Sequence, residues 1–170
     1  MKINYVVGNA IEPIGDSNKL VVHCCNALGF MGAGIAAAIR QKWPHVYKDY
    51  SKFCKKSEDY PSCLLGEVQF VKAEDGIVIA NIIGQNDCGP TIIGDVSIPP
   101  VDYRALEVGF AKIKKSIIEG QRKSPDAKVV TIHMPRIGCG LAGGEWGFIE
   151  LILDSVFGNT NWEITVYDLK

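Results

Sequence analysis

From Lys128 to Trp146 the chain reads KVVTIHMPRIGCGLAGGEW, an apolar β-branched run that passes directly into a loop holding Gly138, Gly140, Gly143 and Gly144. Few folds accept such a junction. β-Branched residues favour a strand, and residues without Cβ let successive backbone amides turn toward one point. A helix that follows adds unpaired N–H groups and a partial positive charge suited to phosphate. The segment Lys19 to Ala38 repeats the design, with LVVHCCN leading into ALGFMGAG and then a helical stretch. Two such units predict a clamp around one diphosphate.

Periodicity and punctuation supply the remaining elements. Strands are expected at Lys2 to Val7, Leu20 to Cys24, Glu67 to Val71, Ile77 to Ile83, Lys128 to His133 and Glu163 to Tyr167, all rich in Val and Ile. Helices are expected at Gly32 to Lys42 and Pro44 to Lys56, separated by a proline that ends one and starts the next. A third helix from Asp102 to Glu119 should stop before Gly120, and a fourth should span Glu145 to Phe157. This alternation predicts an α/β sandwich with a mixed or largely parallel sheet, helices on both faces and a ligand at the carboxyl ends of central strands. The aperiodic segment Gly84 to Val101 reads either as a lid or as an ordinary surface loop.

With 170 residues and 47% apolar composition, the chain suits one domain that buries its own core. A net charge of −1 argues against a broad electrostatic grip on nucleic acid or on an anionic membrane. The 6 cysteines lack C-x-x-C spacing, and no apolar run of transmembrane length occurs, so a cytoplasmic protein with reduced thiols is expected. His23, Cys24 and Cys25 are contiguous, but neighbouring strand residues point to opposite faces, so no metal site is expected. Gly32, Gly34 and Ala37 fit G-x-G-x-x-A of dinucleotide-binding folds, yet they follow the second strand by several residues, and no acidic residue ends a strand about 20 positions later.

The opening INYVVGNAIEP, the run HCCNALGFMGAGIAAAIRQKWP, the loop MPRIGCGLAGGEW and the closing ITVYDL together resemble the macrodomains, a family that binds ADP-ribose. The likeness covers nearly the whole chain and is greatest to the branch containing the terminal ADP-ribose protein glycohydrolase and the yeast ADP-ribose 1″-phosphate phosphatase. It implies a single macrodomain over 1–170, a three-layer α/β/α sandwich with a mixed, mostly parallel sheet, acting as a monomer. The implied partner is ADP-ribose or an ADP-ribosylated molecule, with no cofactor, nucleic acid or membrane. Adenine would lie near Gly8, Asn9 and Ala10, with Tyr167 either stacking on it or capping the core. The diphosphate would lie between Gly32, Ala33, Gly34 and Ile35 on one side and Pro135, Gly138, Cys139, Gly140, Leu141 and Ala142 on the other. The distal ribose would approach Asn26, Gly32 and Gly34. His23 reads either as a general acid or base or as a core residue, and His133 as structural.

Three positions depart from the family pattern. Asn9 replaces the aspartate that accepts the adenine amine. The stretch Ile83, Gly84, Gln85, Asn86 holds no lysine where the glycohydrolase carries its nucleophile, and Ala142 replaces the carboxylate that resolves the adduct. What remains is water attack oriented by Asn26 and the substrate's own phosphate with help from His23; Asp87 and Asp95 are acids without a place. The expectation is therefore ADP-ribose binding, with hydrolysis of the 1″-phosphate or an ADP-ribosyl ester, or else a reader without turnover.

Overall fold

A computed structural model describes residues 1–126 and 128–169; Lys170, the last residue of the expected domain, lies outside the described residues. Among the described residues, eight strands and four α-helices follow one another as β1 Lys2–Val7, β2 Asn18–Asn26, α1 Gly34–Lys42, α2 Pro44–Lys55, β3 Val68–Glu74, β4 Ile77–Gln85, β5 Thr91–Ile93, β6 Val96–Ile98, α3 Tyr103–Lys123, β7 Val130–Pro135, α4 Trp146–Phe157 and β8 Glu163–Asp168. Six strands form one sheet in the order β1-β8-β7-β2-β4-β3, antiparallel only between β3 and β4. This is the mixed, mostly parallel α/β arrangement expected from the strand and helix alternation.

The strands at the centre are apolar on both faces because helices cover both. Val22, Ala80 and Ile82 pack with Leu106, Phe110, Ile149 and Leu153 from α3 and α4, while Val21, Ile79 and Ile83 pack with Ile39, Val46 and Tyr50 from α1 and α2. Two helix boundaries differ from expectation by more than one residue. α3 runs through Gly120 to Lys123 and stops at Ser124, whose φ of −140° and ψ of 76° are forced toward extended values by Pro125. A glycine inside a helix weakens it, but the following proline ends it. α1 starts at Gly34 rather than Gly32, which leaves Gly32 and Ala33 in the preceding loop.

The segment 84–101 carries more structure than its lack of period suggested. Gly84 and Gln85 complete β4, and β5 and β6 form an antiparallel hairpin apart from the main sheet. Val101 then bridges back to Gln85.

His23 belongs to the core. It lies beside Asn81 in register across β2 and β4, and Asn81 lies beside Gln69 across β4 and β3. His23 Nε2 donates to Asn81 Oδ1 at 2.6 Å, Asn81 Nδ2 to Gln69 Oε1 at 3.0 Å, and Gln69 Nε2 to the Asp49 carbonyl of α2 at 3.0 Å. This polar ladder satisfies groups that would otherwise be costly under a helix. Burial holds the imidazole of His23 down at about 4 despite the opposing bond to Asn81, so the ring is neutral at pH 7.

A pH dependence of stability follows. The unfolded histidine takes a proton near 6.5 and the folded one only near 4, so His23 favours the folded state fully above pH 6.5 and progressively less as pH falls toward 4, a difference of roughly 3 kcal/mol. Denaturant midpoints measured from pH 7 to 4 should fall more steeply for the wild type than for His23→Gln. Parallel curves would show that His23 does not titrate in this way.

Candidate functional site

β2 and β7 are parallel neighbours, so the loops that follow them emerge at the same end of the sheet. There they wall a cavity of about 390 Å³, within the ordinary size of small-molecule sites. The first loop contributes Gly32, Ala33, Gly34 and Ile35, continuing to Ala36 in α1. The second contributes Pro135, Ile137, Gly138, Gly140, Leu141 and Ala142; Gly8, Asn9, Ala10 and Tyr167 close one end, and Asn26 another part of the wall. Nearly all the expected ligand residues therefore share one cavity. Cys139 is the exception among them: it is not in the lining and packs against the core on the α3 and α4 side.

The walls present backbone donors. The capping position Ala33 offers no side-chain oxygen to α1, and among the described residues the amides of Gly32 to Ala36 find no protein acceptor. In the second loop, Cys139, Gly143 and Gly144 donate to Arg136, Gly140 and Gly138 carbonyls at 3.1, 2.9 and 2.8 Å, which leaves the consecutive amides of Gly140, Leu141 and Ala142 without protein acceptors among the described residues. Successive free N–H groups form an anion-binding concavity. α4, expected to add its N-terminus, does not line the cavity: its first residue is Trp146, and its capping residue is the acidic Glu145.

The loop glycines divide by function. A Cβ on Gly138 would meet Leu106 and Val101 at 3.2 Å, one on Gly143 would meet Pro99 at 3.0 Å, and one on Gly144 would meet the Gly138 carbonyl at 2.7 Å. These positions are glycine because the loop packs tightly. Gly32 and Gly140 have no heavy atom within 4 Å of that point and no positive φ, so only a ligand restricts what stands there.

Asn26 lines the cavity, yet its amide is engaged in building the loop. Its Oδ1 accepts from Leu28 and Phe30 amides, each at 3.1 Å, and its Nδ2 donates to the Phe30 carbonyl at 2.7 Å. The buried Tyr50 hydroxyl donates to the Asn26 carbonyl. Asn9 is engaged similarly, its Oδ1 accepting from the Ile11 amide at 3.2 Å. Tyr167 stands against Gly8, where a Cβ would come within 3.4 Å of its ring. Its hydroxyl accepts from the Ile14 amide at 3.0 Å and donates to His133 Nδ1 at 2.9 Å, while His133 Nε2 donates to Thr131 Oγ1 at 2.8 Å. His133 thus supports a cavity residue from within the core.

His23, expected as a possible acid or base, is fully buried and absent from the lining, because its place on β2 points it under α2 beside Asn81. Among the described residues, the lining contains no His, Lys, Asp or Glu. Its thiols are poor nucleophiles: burial pushes Cys24 up to about 12 and Cys25 well above its usual value, and burial together with Asp87 raises Cys88. No group of three or more His, Cys, Asp or Glu suited to a metal occurs among the described residues.

Several lining residues had no signal in the sequence pattern. Phe30, Cys88 and Leu169 come from positions outside strands and helices without period, and Gln85 is the last residue of β4. Among the described residues, Arg136 is the lining's one charged side chain. Its Nε and Nη2 donate to the two Asp168 carboxylate oxygens at 2.7 and 3.0 Å. Its Cζ lies 5.3 Å from the Tyr5 ring and 5.4 Å from the Trp146 ring, and Trp146 Nε1 donates to the Tyr5 hydroxyl at 3.0 Å. Arg136 precedes the glycine loop and Trp146 follows it, so this cluster clasps the loop at its base.

A mostly parallel sheet with an amide-lined cavity at the strand ends is the architecture of a nucleotide-binding α/β protein. The chain belongs to the Macro domain family, which it matches over residues 22–148. It is 37% identical to an ADP-ribose 1″-phosphate phosphatase of Meyerozyma guilliermondii, the alignment covering 89% of this chain and 92% of that protein. It is 30% identical to the ADP-ribose glycohydrolase OARD1 of Homo sapiens over 99% of this chain and 92% of the relative. Among solved structures, a macrodomain protein from Streptomyces coelicolor superposes with a TM-score of 0.76 at 30% identity, covering 98% of this chain and 99% of that one. A protein of unknown function from Bacteroides thetaiotaomicron superposes at 0.85 with 34% identity, covering 99% of both.

Removing the Asn26 amide should loosen the loop it ties. Asn26→Ala is expected to lower stability by roughly 2–4 kcal/mol, the usual sum for three lost side-chain bonds near the interior, and to speed hydrogen exchange at the Leu28 and Phe30 amides. Unchanged exchange at those two amides would contradict this role.

Proposed function

We propose that the cavity binds ADP-ribose, free or attached to another molecule. The observation that carries this reading is the pair of amide runs, Gly32 to Ala36 and Gly140 to Ala142, lining one cavity. Their spacing on two adjacent strands suits the two phosphates of a diphosphate, held by main-chain donors without lysine or metal. The adenosine end lies toward Gly8, Asn9, Ala10 and Tyr167, and the distal ribose toward Asn26, Phe30 and Gln85. Because Asn9 Oδ1 already accepts a backbone bond and carries no charge, adenine selectivity at this position is weaker than a carboxylate would provide.

Hydrolysis of ADP-ribose 1″-phosphate is a second reading, supported by six yeast relatives that bear that phosphatase name. Its chemistry here would be attack of water on phosphorus, with cleavage of the P–O1″ bond, the substrate's phosphate taking the water proton and the departing 1″-oxygen receiving one. Among the described residues, the lining offers no His, Lys, Asp or Glu to assist, a deficit on the order of 100-fold in rate. Recognition without efficient turnover is the function that the geometry supports best.

Calorimetry should give a micromolar dissociation constant for ADP-ribose, about −8 kcal/mol, and weaker binding of AMP, which lacks the second phosphate. Gly140→Val should reduce ADP-ribose affinity at least tenfold while leaving the melting temperature nearly unchanged, since its side chain enters open cavity. Equal affinity in that variant would show that the loop does not touch the ligand.

The phosphates are expected to need no ion, so affinity in EDTA should equal that in magnesium. A chelator-sensitive affinity would overturn the main-chain assignment. Release of inorganic phosphate from ADP-ribose 1″-phosphate at rates typical of enzymes would replace the recognition reading with the hydrolytic one.

A further inference from the structure

The β5–β6 hairpin is the most apolar exposed element of the chain that the cavity does not use. Ile92, Ile93, Val96 and Ile98 are 64%, 62%, 61% and 44% exposed. In its register Ile93 faces Val96 and Thr91 faces Ile98, so three apolar side chains and a threonine share one face of the hairpin, while Ile92 shares the other with Ser97. Among the described residues, the two strands pair with no further strand. An isolated two-stranded hairpin with solvent on both faces is marginal in water, and a third strand or an apolar cover completes it.

Both feet of the hairpin stand on the cavity rim. Gln85 and Cys88, just before β5, line the cavity. After β6, Pro99 lies against Gly143, where a Cβ would come within 3.0 Å, and the Val101 amide donates to the Ala142 carbonyl at 3.2 Å. The hairpin therefore adjoins the end of the cavity assigned to the distal ribose, where anything attached to that sugar must leave the protein.

Charge decides what that attachment is. From Asn86 to Val101 the chain has Asp87 and Asp95 and no Lys, Arg or His. An acidic, apolar rim repels a phosphate backbone and suits an extended polypeptide that adds a strand to an open hairpin edge. We propose that the β5–β6 hairpin is a docking surface for the polypeptide that carries the ADP-ribosyl group, so that the preferred ligand is protein-linked ADP-ribose. This rests on the ADP-ribose reading of the cavity.

The test compares three probes: free ADP-ribose, a peptide of roughly ten Val- and Thr-rich residues, enough for one strand, with one ADP-ribosylated glutamate, and an oligonucleotide bearing a terminal ADP-ribose. The wild type should bind the peptide conjugate at least tenfold more tightly than free ADP-ribose. I93S/V96S should lose that gain yet bind free ADP-ribose within twofold of the wild type, because neither residue lines the cavity. No binding of free ADP-ribose by the wild type would refute the cavity reading itself. With free ADP-ribose bound, an absent peptide gain, or one retained in I93S/V96S, would refute the hairpin as a docking surface. An equal, hairpin-dependent gain with the oligonucleotide conjugate would refute the choice of polypeptide, and a wild-type dimer that I93S/V96S dissociates would show that the surface serves self-association instead.

Discussion

The parallel pairing of β2 with β7 is the constraint on which the site depends. Its register sets Leu20 beside Ile132 and Val21 beside His133, so both strands end at the same edge and both glycine loops rise from it side by side. An antiparallel pair would send the loops to opposite ends. The apolar alternation that buries Val22 under α3 and Val21 under α1 holds the two strands together, and the geometry of ligand recognition follows from it.

Within that frame, polar side chains near the cavity act mainly as builders. Asn26 ties the Leu28 to Phe30 turn, Asn9 ties its own turn, and His133 holds the Tyr167 hydroxyl. Among the described residues, the lining left over is mostly backbone amide and small or apolar side chain, with Gln85 and Arg136 beside them. Such a surface offers fixed dipoles for phosphate.

Much of this was legible in the sequence. The β-branched runs, the paired glycine loops and Pro44 place the strands, both loops and the break between α1 and α2 within a few residues, because each rests on local chemistry. His23 was ambiguous for a physical reason: one strand cannot show what its neighbours place beside a histidine, and Asn81 and Gln69 reach it only through the register of three strands. Arg136 was passed over for the same reason, since Tyr5, Trp146 and Asp168 lie far from it along the chain. The hairpin is hidden in the sequence because two strands of three residues are too short to show a period, and α3 passes through Gly120 because Pro125, not the glycine, ends it.

The clasp of Arg136 and Trp146 bears on how quickly the site can act. By joining the first and last residues of the glycine loop through an aromatic box, with Asp168 as a further tether, it shortens the free arc between them and removes much of the loop's wandering before any ligand arrives. The ordering that a floppy loop would undergo at each encounter is completed once, during folding. Association can then proceed without a slow rearrangement, and differences in affinity among related ligands fall on how long each stays rather than on how fast it enters.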